Sequence, residues 1–263
     1  MMSSGRRLQR RQNPLISGVD SHSNQDKGNT TMDEITLKAA DGSGEFSAFV
    51  WKPAEDSAGA VVLIQEIFGV NDALIETAEA LAQQGFIAVA PDLFWRQEKG
   101  VKLTDKSEAE WKKAFELMNG FDQDKGVEDL KVALDAARAL PGCNGRAGTI
   151  GFCLGGRLAV MMATRSDADV NVSYYGVALQ NLAGEFDNIS APLMLHLAEN
   201  DEYFPAAGQE KLLDALEGNE WVDVFIYPDA QHAFARPNGV HYDARAAVIA
   251  NGRTTELLAE ILD

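Results

Sequence analysis

The chain has 263 residues, 46% of them apolar and 24% charged, and a net charge of −17. That is enough apolar sequence for one sizeable core, and the acidity argues against nucleic acid as a partner, because phosphate binding needs a basic footprint that releases counterions. No run approaches the ~18 apolar residues of a membrane span and no apolar segment opens the chain as a secretory signal would, so a cytoplasmic protein without membrane contact is expected. The acidic surface favours a monomer.

Residues 1–32 are rich in Ser, Asn, Gln and Arg, with a basic cluster at Arg6, Arg7, Arg10 and Arg11, and read as a disordered extension ahead of a single domain spanning 33–263. Two strands come first, Glu34 to Ala39 and Phe46 to Trp51, separated by "DGSG", which predicts an antiparallel hairpin at the sheet edge. Apolar strand-like runs follow at 60–66, 86–92, 147–152, 170–176, 192–199 and 221–228. Amphipathic helical stretches lie between them at 73–84, 108–118, 123–140, 154–164 and 206–216, and a last one closes the chain at 240–262. This alternation predicts an α/β domain with about eight strands, mostly parallel, flanked by helices.

In such a sheet, sites form at the carboxyl ends of the strands, where loops converge and helix N-termini aim their N–H groups into the crevice. That rule selects Glu66, the 92–96 segment, Cys153, Tyr174 and Tyr175, residues 199–202, and the loop 228–236. Cys153 sits in "GFCLGG" between a strand-like and a helix-like run. Glycines two positions before and after it suit a nucleophile elbow, although a free Cys is usually a small buried hydrophobe. Cys153, then an acid, then His232 on successive strand ends is the nucleophile, acid, base order of an α/β-hydrolase triad. The spacing leaves the acid open among Glu199, Asp201, Glu202 and Asp229. His196, mid-strand, reads as a hydrogen-bonded core residue. One of Tyr174 and Tyr175 should face the core and the other the site. Cys143, after Pro-Gly in a turn, reads as inert, and two cysteines in a cytosolic chain stay thiols. Two cysteines and four scattered histidines give no zinc spacing, so no metal and no cofactor are expected.

The segments "QEIFGVN" (65–71), "APDLFWRQ" (90–97), "GFCLGG" (151–156), "YYGV" (174–177), "END" before "EYFP", and "HAFAR" (232–236) together resemble the dienelactone hydrolases, or carboxymethylenebutenolidases, from about Glu34 to the C-terminus. The resemblance implies an α/β-hydrolase fold and a catalytic set of Cys153, His232, Asp201 and Glu66, the last handling the thiol proton. It also implies Arg96 and Arg236 as binders of a substrate carboxylate and Tyr175 in the pocket wall. In such a site the backbone N–H groups of Leu154 and Ile67 would form the oxyanion hole. The implied reaction opens dienelactone (4-carboxymethylenebut-2-en-4-olide) through a thioester acyl-enzyme and releases maleylacetate, a step in the breakdown of aromatic compounds. The partner is then a small anionic lactone or ester. A broader carboxylic ester or thioester hydrolase, or a thiol redox sensor built on Cys153, are the alternative readings.

Overall fold

The computed structural model describes residues 16–20, 32–54 and 58–263. The expected extension, residues 1–32, lies outside that description apart from Met32 and a short strand, β1 (Ile16–Asp20). β1 pairs antiparallel with β2 (Met32–Lys38), which pairs antiparallel with β3 (Glu45–Trp51). The "DGSG" hairpin is thus present, closed by the Ala39 N–H donating to the Gly44 carbonyl at 3.0 Å.

Six more strands follow: β4 (Ala58–Ile64), β5 (Ile87–Pro91), β6 (Cys143–Phe152), β7 (Asn171–Tyr174), β8 (Leu193–Asn200) and β9 (Val222–Gln231). The sheet order is β1-β2-β3-β5-β4-β6-β7-β8-β9. β3 runs antiparallel to β5, and every later neighbour pair is parallel. All seven residues of β4 and all five of β5 are buried, as strands covered on both faces must be. The eight strands from Met32 onward match the sequence expectation, with an antiparallel hairpin leading into a parallel sheet.

Among the described residues, six α-helices flank the sheet: α1 (Asp72–Gln83), α2 (Glu108–Asn119), α3 (Gln123–Arg138), α4 (Leu154–Arg165), α5 (Ala206–Leu216) and α6 (Ala244–Leu262). Their starts are written in the sequence. Asn71, Ser107, Asp122 and Asp243 each accept a backbone N–H at the start of α1, α2, α3 and α6. At α2 the Ser107 hydroxyl also donates to Glu110 at 2.7 Å, closing a Ser-x-x-Glu motif. α4 has no such side-chain cap; the residue at its cap position is Cys153.

Of the boundaries that differ from the sequence reading, three stand out. β6 begins at Cys143, so that residue opens a strand instead of sitting in a turn. β7 ends at Tyr174, because Tyr175 turns to φ 38°. α6 starts at Ala244, where Asp243 caps it, not at Val240. A 3-10 helix, Leu179–Asn188, was not foreseen. No helix among the described residues is long and apolar enough to cross a membrane.

The joint between β6 and α4 depends on absent side chains. A Cβ on Gly151 would sit 1.9 Å from the Gly155 carbonyl oxygen, and one on Gly155 would sit 2.3 Å from that of Ile64. Both contacts are with backbone, which cannot swing aside. Gly151→Ala is therefore expected to cost at least the upper end of the ~1–3 kcal/mol of an overpacked core, lowering Tm by roughly 5–10 °C. A scanning calorimetry trace within about 2 °C of the wild type would refute this close approach.

Candidate active site

Cys153 follows β6 and opens α4 with φ 55° and ψ −114°, a backbone conformation that costs a non-glycine residue of order 1–3 kcal/mol. The strain turns its side chain out of the sheet into a cavity of about 150 Å³ at the carboxyl ends of the strands. Cys153 itself is 8% exposed. His232, just past β9, lines the same cavity as Cys153.

Behind His232, Nδ1 contacts both oxygens of Asp201, at 3.0 and 2.9 Å. Asp201 is held in turn by the N–H groups of Tyr203 (2.9 Å) and Phe204 (3.2 Å), both donating to Oδ1. The rival acids lie elsewhere: Glu199, Glu202 and Asp229 are exposed, and a Glu199 oxygen accepts the Asp229 N–H at 2.9 Å. Burial alone would lower the His232 pKa, but negative charge on Cys153 and the hydrogen bonds to Asp201 and Cys153 outweigh it, and the pKa is pushed up to about 10. The cationic form of His232 is therefore favoured beside Cys153, whose reactive form is the thiolate. The uncapped start of α4 adds its unsatisfied N–H groups and positive dipole end at the same point.

Glu66 follows β4 with both oxygens on Arg236, from Nε at 2.6 Å and from Nη2 at 3.1 Å. The third Arg236 nitrogen, Nη1, donates to Asp105 at 2.6 Å. All three side chains are at most 8% exposed. Burial would lower the Arg236 pKa, but the charges and hydrogen bonds of the carboxylates drive it above the ordinary arginine value. Tyr175 packs edge-on against His232, ring centres 5.3 Å apart, and burial holds its phenol far above its usual pKa. Tyr174 points to the opposite face, where its hydroxyl meets Asn251 and Thr254. His196 joins that second network through Tyr227 at 2.9 Å and Thr254 at 3.0 Å, and burial pushes its pKa down to about 3. It is the core histidine that the sequence suggested.

Arg96 stands apart. Its guanidinium donates to both oxygens of the fully buried Asp129 and to Asp41, and stacks 4.3 Å from the Trp95 ring centre. It is not among the residues lining the Cys153 cavity. Leu154 opens α4, and Ile67 lines the cavity beside Cys153.

Sequence reasoning missed Asp105 and the cavity wall from α2. Trp111, Phe115 and Met118 line the cavity together with Phe68, Val177 and Tyr203. The amphipathic pattern of 108–118 marked an apolar face, whose Trp111, Phe115 and Met118 are half-buried; nothing marked what it faces. Asp105 lies in an unremarkable "LTDKS" stretch. A larger hollow of about 780 Å³ lies between α1 and α6, but it holds neither Cys153 nor His232, which both line the smaller one.

The sequence profile of the Dienelactone hydrolase family matches residues 46–262. An Azospirillum brasilense protein provisionally named carboxymethylenebutenolidase is 48% identical over 233 residues, which is 88% of this chain and 100% of that one. Carboxymethylenebutenolidase 1 of Cupriavidus pinatubonensis is 40% identical, over 88% of this chain and 97% of its own. In fold, the chain is similar to a crystal structure provisionally named dienelactone hydrolase from Klebsiella pneumoniae, with a TM-score of 0.76 at 22% identity over 88% of this chain and 99% of that one. A dienelactone hydrolase-like promiscuous phosphotriesterase from metagenomic libraries superposes with a TM-score of 0.74 at 24% identity, over the same shares. A profile match across most of the chain and close relatives of nearly equal length lead to one assignment: the chain is a hydrolase that belongs to the dienelactone hydrolase family.

Proposed function

We propose that the protein hydrolyses dienelactone to maleylacetate with Cys153 as nucleophile, His232 as base and Asp201 as the group that orients it. The observation that carries this reading is the strained Cys153 beside the His232–Asp201 pair, in a small cavity walled by an arginine. The thiolate attacks the lactone carbonyl, and the N–H groups of Leu154 and Ile67 stabilise the oxyanion. The ring C–O bond breaks to give a thioester and an enolate, which takes up a proton and becomes the ketone. Water then cleaves the thioester, releasing the second carboxylate and restoring the thiol. The substrate carboxylate binds Arg236, and Glu66, freed from that arginine, takes up the thiol proton; Tyr175 fills the wall behind them. The cavity of about 150 Å³ suits so small a lactone.

One observation favours the broader ester hydrolase as a second reading: Arg96, the other implied carboxylate binder, is engaged by Asp129 and Asp41 outside the cavity. Several of the solved structures that share the fold are named esterases, among them a cold-adapted esterase from an Arctic intertidal metagenomic library. Turnover of dienelactone and of a neutral nitrophenyl ester separates the two. Losing one partner of a buried charged pair costs about 2–5 kcal/mol, or roughly 30- to several-thousand-fold in kcat/KM. Arg236→Ala is expected to lose that much on dienelactone and less than about tenfold on the neutral ester. Equal losses on both would favour the broader hydrolase. Arg96→Ala, measured alongside, shows the same contrast if it reaches the substrate and an equal loss if it only anchors Asp129.

A further inference from the structure

Arg236 meets two carboxylates, Glu66 through Nε and Nη2 and Asp105 through Nη1, so the three buried groups together carry one net negative charge. Asp105 is not among the residues lining the Cys153 cavity, and its own surroundings hold it firmly. Its Oδ2 also accepts the Val240 N–H at 3.2 Å, and its carbonyl accepts the Trp111 indole N–H at 2.9 Å. Glu66 alone fixes the plane of the guanidinium, since its two bonds form a fork. Asp105 is therefore not required to orient Arg236; what it adds is negative charge.

Hydrolysis of the lactone turns a bound monoanion into a dianion whose original carboxylate still faces Arg236. A cation left unopposed in a buried pocket would hold that anion tightly. We propose that Asp105 tunes this subsite through the charge it places on Arg236, lowering the affinity for carboxylates so that the anionic product is not retained. This rests on Arg236 being the carboxylate subsite of the proposed reaction.

The test is a calorimetric binding titration of the full chain with succinate and its uncharged isostere succinamide, which needs no turnover and so stays informative whether or not dienelactone is hydrolysed. In Asp105→Asn the Kd for succinate is expected to fall about tenfold or more, the scale of one elementary charge a few ångströms from the ligand at an effective dielectric near ~20. The Kd for succinamide should shift less than about threefold. Asp105→Ser, which removes the charge with a smaller side chain, is titrated in parallel so that a folding defect in one variant does not decide the matter. Succinate affinity that is unchanged or weaker in the folded variants, or a gain shared equally by succinamide, would overturn the proposal.

Discussion

Cys153→Ala is expected to lower turnover of lactone and ester by roughly four orders of magnitude or more, the scale of losing a covalent nucleophile. Alanine keeps the Cβ and hence the backbone strain at φ 55°, so folding should be preserved and the loss should be chemical. A second readout follows from charge. In the wild type, burial opposes the proton on His232, while the charge of Cys153 and hydrogen bonds to Asp201 and Cys153 raise its pKa to about 10. A histidine whose pKa is raised on folding stabilises the native state fully below its unfolded pKa near ~6.5, and that contribution disappears as pH rises through the folded value. Removing the sulfur should move this loss to lower pH, visible as an imidazole NMR titration shifted down from about 10. Cys143→Ala is the control. The two cysteines stand at opposite ends of the ten-residue strand β6, roughly 30 Å apart, and turnover should stay within a few-fold. An essential Cys143 would remove the elbow from the mechanism.

Asp201→Asn should cost roughly 10⁴-fold in kcat, the penalty expected when a histidine base is held in the wrong tautomer. The carboxylate accepts from His232 Nδ1 with both oxygens, leaving Nε2 as the basic nitrogen. An asparagine can present its amide N–H instead, and the imidazole then reverses its donor and acceptor nitrogens. The Asn side-chain oxygen still accepts the Tyr203 and Phe204 N–H groups, so Tm should change by only a few degrees. Activity close to the wild type would take the acid role away from Asp201, and neither Glu199, Glu202 nor Asp229 is placed to assume it against His232.

Much of this was legible in the chain because the physical signals are local. β4 and β5 are continuous apolar runs, and α1 to α3 begin at side chains that cap them, so their place and type follow from short windows. The strand-end rule brought Cys153, the 199–202 segment and His232 together without a structure. It could not choose Asp201 among four acids, since that choice depends on which carboxylate lies under the imidazole, a contact 31 residues apart in sequence. Asp105 was invisible for the same reason: it meets Arg236 across 131 residues, and no local pattern encodes such a meeting. Tyr175 ended β7 early because a tyrosine at positive φ leaves no mark in composition. Arg96 was legible as a residue type but not as a position, because its partner Asp129 sits on the second turn of α3.

The backbone contacts at Gly151 and Gly155 weld the start of α4 to β4 and β6, so the thiol is carried by the sheet itself and cannot be re-aimed without rebuilding two strands. The opposite wall is of another kind. Trp111, Phe115 and Met118 belong to one helix, α2, and none of them is part of a strand. Over evolutionary time the molecule therefore divides into a fixed anvil and an exchangeable die. Selection for new esters would be recorded in α2 long before it reached the nucleophile. A laboratory search for altered acyl-group preference would do best to randomise those three positions and leave "GFCLGG" untouched.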